Sequence, residues 1–188
     1  MAAEKRILVH TCCASCSTHV LSALSARYEP SAFFFNPNIQ PEGEYRLRLA
    51  ETAKVCGALG IPLIEGEYDP GAWDEAVAPC RELGEKSERC WACYRLRLEA
   101  TAAEAARAGI GIFTTTLSVS PHKIHERILV EGEAAARRFG VAFLGEDFKK
   151  KDGFRISVEK SRLFGLTRQD YCGCLPSRVE AAARRGKG

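Results

Sequence analysis

The sequence predicts an α/β fold, an open and mainly parallel sheet with helices on both faces and a loop-rich, basic C-terminal extension. Three observations predict it. Short apolar runs recur at residues 6–10, 32–35, 61–64, 111–117 and 141–144. Longer stretches between most of them return their apolar residues at helical spacing. Such alternation predicts βαβ units, whose crossovers place helices over a parallel sheet. No repeat, low-complexity linker or shift in composition divides the 188 residues, so a single domain over 1–188 is expected.

Taken in order, Arg6-Ile-Leu-Val-His10 reads as a short buried strand, followed by a cysteine-rich turn. Ser17 to Arg27 carries Val20, Leu21 and Leu24 on one helical face. Ala32-Phe-Phe-Phe35 is a second strand, stopped by Asn36-Pro-Asn38. Glu42 to Leu59 is helical through Tyr45, Leu49, Ala53 and Cys56, and Gly60 ends it. A third strand at 61–64, a Tyr-Asp-Pro-Gly turn at 68–71 and a short helix over Trp73 to Val77 follow. Trp91 to Arg107 is rich in alanine, leucine and arginine and reads as a strong helix before Gly109. A fourth strand covers 111–117. Ser120-Pro121 then predicts an N-cap and first-turn proline for a helix to about Arg138. A fifth strand at 141–144 precedes the basic remainder, with helical stretches near 157–165 and 175–185. This is a Rossmann-like arrangement, in which sites form outside the carboxyl ends of the strands. The loops at 11–16 and 118–121 therefore belong to one rim.

Composition bounds the chemistry. A hydrophobic fraction of 46% and a charged fraction of 27% are ordinary for a globular protein. No apolar run is long enough for a signal peptide or a membrane span, so a cytoplasmic protein without a membrane partner is expected. Thiols stay reduced there, and nine cysteines, an odd number, fit metal binding or catalysis better than disulfides. The net charge of +3 alone does not indicate nucleic acid. The C-terminal third, however, gathers Lys149, Lys150, Lys151, Arg155, Lys160, Arg162, Arg168, Arg178, Arg184, Arg185 and Lys187. Such clustering attracts phosphates, and a solvated basic surface explains it equally well.

Seven cysteines fall into three groups: Cys12, Cys13 and Cys16; Cys90 and Cys93; Cys172 and Cys174. A zinc ribbon shows two C-x-x-C knuckles on turns, whereas here the one separate C-x-x-C opens a helix. Residues adjacent in extended chain point to opposite sides, so the spacing predicts that Cys12 and Cys13 do not share one metal. Seven thiols also exceed the four that one tetrahedral ion uses. Soft thiolates select zinc, copper(I) and iron–sulfur clusters, and the surplus favours the last. Cys56 lies on an apolar helical stripe and reads as core; Cys80 has no partner at ligand spacing. His10 ends a strand and is either a satisfied core histidine or a support for the site. His122 and His125 share a predicted helix face but lack a third ligand. Ser118, Ser120 and Lys123 at a helix N-terminus form a candidate phosphate cradle, although a plain N-cap explains the same residues.

Further stretches carry a resemblance: His10-Thr-Cys-Cys13 with Cys16-Ser17, Phe34-Phe-Asn-Pro-Asn38, Tyr68-Asp69, and Arg89-Cys-Trp-Ala-Cys93 with Arg95-Leu96. Phe113-Thr-Thr-Thr-Leu-Ser-Val-Ser-Pro-His-Lys123, Asp147-Phe-Lys-Lys-Lys-Asp-Gly-Phe154 and Arg168-Gln-Asp-Tyr-Cys-Gly-Cys174 continue it. In this order, over nearly the whole chain, the sequence resembles the QueH-type epoxyqueuosine reductases. Ala14-Ser15 stands where many relatives have Gly-Pro, and Val119 and His122 vary the threonine-rich segment; neither removes a candidate ligand. The resemblance implies cobalamin-independent reduction of epoxyqueuosine to queuosine at the wobble position of tRNA. It also implies a 4Fe–4S cluster beside a mononuclear iron with cysteine and aspartate ligands. Carried over, Cys12, Cys13, Cys90, Cys93, Cys172 and Cys174 share the metals, with Cys16 as a further candidate. Asp170 is the expected carboxylate ligand or proton donor, and Asp69 the other choice. Lys123, Lys149, Lys150, Lys151 and Arg168, with Ser118 and Ser120, are expected to meet the tRNA. An external electron donor is required, because nothing resembles a nicotinamide or flavin fingerprint.

Two other classes stay open. A tRNA-thiolating or ATP-pyrophosphatase enzyme needs a Ser-Gly-Gly-x-Asp-Ser loop after the first strand, where this chain has Cys-Cys-Ala-Ser-Cys-Ser. A non-catalytic zinc module that binds RNA is the second.

Overall fold

The computed structural model describes residues 5–186, so Lys187 of the basic tail lies outside the described residues. Five parallel strands form one sheet in the order β3-β2-β1-β4-β5. They are β1 (Arg6–His10), β2 (Glu29–Phe34), β3 (Leu63–Glu65), β4 (Ile112–Thr115) and β5 (Ala142–Phe143). The helices are α1 (Ala14–Ser25), α2 (Glu42–Leu59), α3 (Pro70–Val77), α4 (Glu88–Arg107), α5 (His125–Phe139), α6 (Gly153–Leu163) and α7 (Leu175–Arg185). The predicted α/β class, the parallel pairing and the helices on both faces are all present.

The two-residue period of β1 divides the core between those faces. Leu8 joins Phe33 and Phe113 against Tyr94, Leu98 and Ala102 of α4 and Ile128 of α5. Ile7, Val9 and Ala32 face the other way, onto Val20, Leu21 and Leu24 of α1 and Cys56 of α2. Each buried aliphatic side chain here contributes about 1.5–3 kcal/mol of transfer free energy. That is why β1, the central strand, is an almost unbroken apolar run.

Local signals set the ends of several elements. Gly60 closes α2 in the left-handed region at φ 66°. Asp69 caps α3 by accepting from the Gly71 and Ala72 amides at 2.9 and 3.2 Å, ahead of Pro70. The helix expected from Ser120 begins later, at His125. Thr115 accepts from the Leu117 amide and starts a 3₁₀ turn over Thr116–Val119, and Ser120 stays extended, accepting from the His122 amide. Lys123 turns inward before α5 begins, so His122 and His125 do not share a helix face. The chain order reverses between β1 and β4, which places the turns after His10 and Thr115 side by side at the carboxyl rim.

Candidate metal centre

At that rim Cys12 is held from both sides. Its amide donates to the Thr116 hydroxyl at 3.1 Å, and that hydroxyl donates to the Cys12 sulfur at 3.3 Å. Cys13 is the N-cap residue of α1 in extended conformation, and its side chain makes no capping bond. Cys16 follows one turn along α1. The three sulfurs lie within 4.8 Å of one another, with Cys12 and Cys13 at 4.0 Å. This corrects the expectation that Cys12 and Cys13 diverge. The backbone turns from strand into helix between them, so extended-chain alternation does not hold at this junction. It also makes Cys16 a full member of the group. A tetrahedral ion at a metal–sulfur distance of ~2.3 Å needs sulfurs ~3.8 Å apart, which this triad nearly matches.

Cys90 and Cys93 sit in the first turns of α4, and Cys172 and Cys174 flank Gly173 just before α7. All four line one cavity, yet no three of them come within 4.8 Å of one another. That spread is too wide for one ion and suits a centre of several metal atoms. Cys172 also stands in the wall of a second cavity of about 460 Å³, which Cys12, Cys13 and Cys16 line as well. The two thiol groups therefore share a boundary.

Buried Arg97 and half-buried Lys123 supply opposite charge. Arg97 on α4 is 1% exposed; its guanidinium donates to Asn36 Oδ1 at 2.6 Å, His10 Nε2 at 3.3 Å and the Cys93 sulfur at 3.9 Å. Lys123 donates to the Cys172 sulfur at 2.8 Å. Burial opposes the Cys172 thiolate, but Lys123 and Arg97 outweigh it and hold its pKa below the ordinary thiol range. Thiol donors on Cys13 and Cys16 likewise hold Cys12 well below it. Donation to Cys12 pushes Cys13 up to about 12 in return, and donation to Cys12 and Cys13 raises Cys16 well above the ordinary thiol range. Burial, then the neighbouring Cys172, raises Cys174 to about 11. His10 is enclosed against Arg97, and burial followed by that charge lowers its pKa to about 3. Its Nδ1 meets the Thr115 hydroxyl at 2.8 Å and its Nε2 meets Arg97 and the Phe35 carbonyl, so both ring nitrogens are taken up in supporting the site.

A close triad, a wider tetrad and cations balancing thiolates form a donor set that fits sulfur-ligated metal. The family model for epoxyqueuosine reductase QueH matches residues 7–180. The chain belongs to the QueH family. Among relatives named epoxyqueuosine reductase QueH, one from Thermotoga maritima is 36% identical over 177 residues, covering 93% of this chain and 91% of the relative. One from Streptococcus pyogenes is 34% identical, covering 90% of this chain and 69% of the relative. One from Helicobacter pylori is 37% identical over 89% of this chain, which spans about half (48%) of that relative's length. A solved structure described as a predicted subunit of a tRNA methyltransferase, from Methanocaldococcus jannaschii, superposes with a TM-score of 0.54. At 16% identity, covering 81% of this chain and 76% of that one, it shows a shared fold alone.

Within this QueH-family site the polar candidates separate. Ser118 is buried and donates to the Glu146 carbonyl at 2.9 Å, so its hydroxyl tethers a loop and does not face a phosphate. Lys123, which donates to Cys172, lines the large cavity as well. Ser120, Arg168 and Asp170 line the large cavity, the last two on exposed ground. Asp170 pairs with Arg185 there and is not brought among the thiols. Asp69 is committed to capping α3. Lys149 pairs with Asp147 at 3.5 Å, and Lys150 and Lys151 are exposed nearby. Cys56 is core, and Cys80 donates to the Val77 carbonyl while packing against the cluster of Trp73, Val77, Cys93 and Cys174.

Sequence reasoning passed over Arg48, Arg97 and Asn38. Arg48 is buried on α2, donates to the Cys172 carbonyl at 3.1 Å and stacks over Tyr171 at 5.0 Å, which ties the Cys172 segment to that helix. The signal was present: both arginines fall on the buried stripes of their helices, where an unpaired charge is not tolerated.

Proposed function

We propose that this chain is a cytoplasmic oxidoreductase that converts epoxyqueuosine to queuosine at the tRNA wobble position, the last step of queuosine synthesis. In this reading Cys90, Cys93, Cys172 and Cys174 hold a 4Fe–4S cluster, and Cys12, Cys13 and Cys16 hold a mononuclear iron. The observation that carries it is the placement of Cys172 in the walls of both the four-thiol cavity and the 460 Å³ cavity. A cavity of that volume admits a nucleoside-sized group. Among the described residues no helix is long and apolar enough to cross a membrane.

The reaction opens the epoxide, forms a carbon–carbon double bond and releases the oxygen as water, consuming two electrons and two protons. When bound, the iron–sulfur centre supplies single electrons and the adjacent iron a Lewis acid. The chain's own residues bind, orient and protonate. Tyr171, fixed by Arg48, offers a stacking face for the extruded base. Asp170, half-exposed at the cavity wall, exchanges protons with solvent and passes them inward. Arg168, Ser120, Lys150 and Lys151 receive backbone phosphates, and an external donor replenishes the electrons.

The deciding experiment incubates the reconstituted, reduced protein with tRNA carrying epoxyqueuosine and follows nucleoside mass. Loss of one oxygen is expected with wild type, and its abolition with tRNA binding retained in Cys172→Ser. A colourless protein holding only stoichiometric zinc after anaerobic purification, with no oxygen lost, would overturn the assignment.

A further inference from the structure

Asn38 is 0% exposed, and neither its Nδ2 nor its Oδ1 has a hydrogen-bond partner among the described residues. Buried amides are almost always satisfied, because an unpaired one carries its full desolvation cost. The side chain lines the cavity of Cys90, Cys93, Cys172 and Cys174. Its neighbour in the same loop shows the contrast: Asn36 donates to the Thr11 carbonyl at 2.9 Å and accepts from Arg97 at 2.6 Å.

The loop is also fixed against the thiol pair. The Gln40 amide donates to the Gly173 carbonyl at 2.9 Å, and the Tyr68 hydroxyl donates to the Ile39 carbonyl at 2.8 Å. Gly173, at φ +127°, makes the approach possible: a Cβ there would meet Ile39 at 2.9 Å and Asn38 Nδ2 at 3.3 Å. The amide is therefore held against the Cys172-Gly-Cys174 turn with its polar atoms unspent.

We infer that Asn38 donates an N–H···S hydrogen bond from Nδ2 to a sulfur of the centre held by the four thiols, and thereby raises its reduction potential. This rests on the proposed cluster assignment. Hydrogen bonds to cluster sulfurs disperse the negative charge that reduction adds, so they favour the reduced form. Arg97 and Lys123 act in the same direction through charge, but Asn38 is neutral and bonds at any pH.

The test uses the reconstituted full chain and two readouts apart from turnover. EPR-monitored redox titration of wild type and of the near-isosteric Asn38→Leu is expected to show a roughly tenfold shift of the reduction equilibrium, 59 mV for one electron, toward the oxidised form. The second readout needs no variant. The chain has two asparagines, Asn36 and Asn38, so protein carrying ¹⁵N-amide asparagine has two labelled side chains, one already committed elsewhere. Pulsed EPR of the reduced wild-type cluster should detect a ¹⁵N coupling that Asn38→Leu removes and Asn36→Asp retains. A cluster that forms with no ¹⁵N coupling and an unchanged potential would overturn this inference while leaving the proposed function standing. A wild-type chain that assembles no cluster would overturn both.

Discussion

Enclosed at the middle of α4, Arg97 donates to His10, Asn36 and Cys93, and no carboxylate is among these partners. Removing Arg97 leaves the buried Asn36 Oδ1 and His10 Nε2 without their donor, at a cost of about 1–3 kcal/mol. Arg97→Ala should therefore lower the urea midpoint of the metal-free protein by that equivalent, measured by circular dichroism. Arg138→Ala, which breaks the exposed pair with Glu99 at 2.9 Å, should change stability by less than about 0.5 kcal/mol. The cysteines differ in the same way. Burial alone raises Cys56 to about 11, and it is 1% exposed. At pH 8 its thiolate fraction is on the order of 10⁻³, rising only as pH approaches 11. Iodoacetamide at pH 8 followed by mass mapping should modify Cys12 and Cys172 of the metal-free protein and spare Cys56; early Cys56 labelling would contradict its burial. Cys56 was legible as core from its helical register. Arg97 was not, because its partners come from residues 10, 36 and 93, which no local pattern connects.

Elements show where local signals suffice. Glu42–Leu59 and Arg6–His10 match the sequence reading residue for residue, since one is bounded by Gly60 and the other by its apolar run. Ser120-Pro121 misled because the same dipeptide serves a helix start and a turn, and the inward pull on Lys123 decided between them. Two glycines separate backbone strain from packing. A Cβ on Gly60 meets nothing within 4 Å, so Gly60→Ala should cost only the left-handed conformation, about 1 kcal/mol. A Cβ on Gly132 would lie 2.3 Å from the Phe143 ring, joining α5 to β5. Gly132→Ala should accordingly destabilise more than Gly60→Ala in thermal denaturation, because α5 must move off the sheet.

Across the whole molecule, the seven thiols come from three segments widely separated in sequence, and the sheet order brings the first beside the β4 turn. Spacing singled out the seven thiols but not their grouping into three and four, because grouping depends on how α4 and the Cys172 turn pack. Charge is distributed at the same scale. Arg168 is exposed on the wall of the large cavity, whereas Lys149 already faces Asp147. If tRNA enters over this wall, each phosphate contact releases condensed counterions and adds about 0.7 to the slope of log affinity against log salt on single-stranded RNA. Arg168→Gln should reduce that slope by about 0.7 over roughly 50–200 mM salt, read by anisotropy of a labelled anticodon stem-loop. Lys149→Gln should reduce it less, since its charge is partly spent within the protein. An unchanged slope in Arg168→Gln would move the RNA path away from this wall and toward Lys150 and Lys151, where the same titration would then show the larger loss.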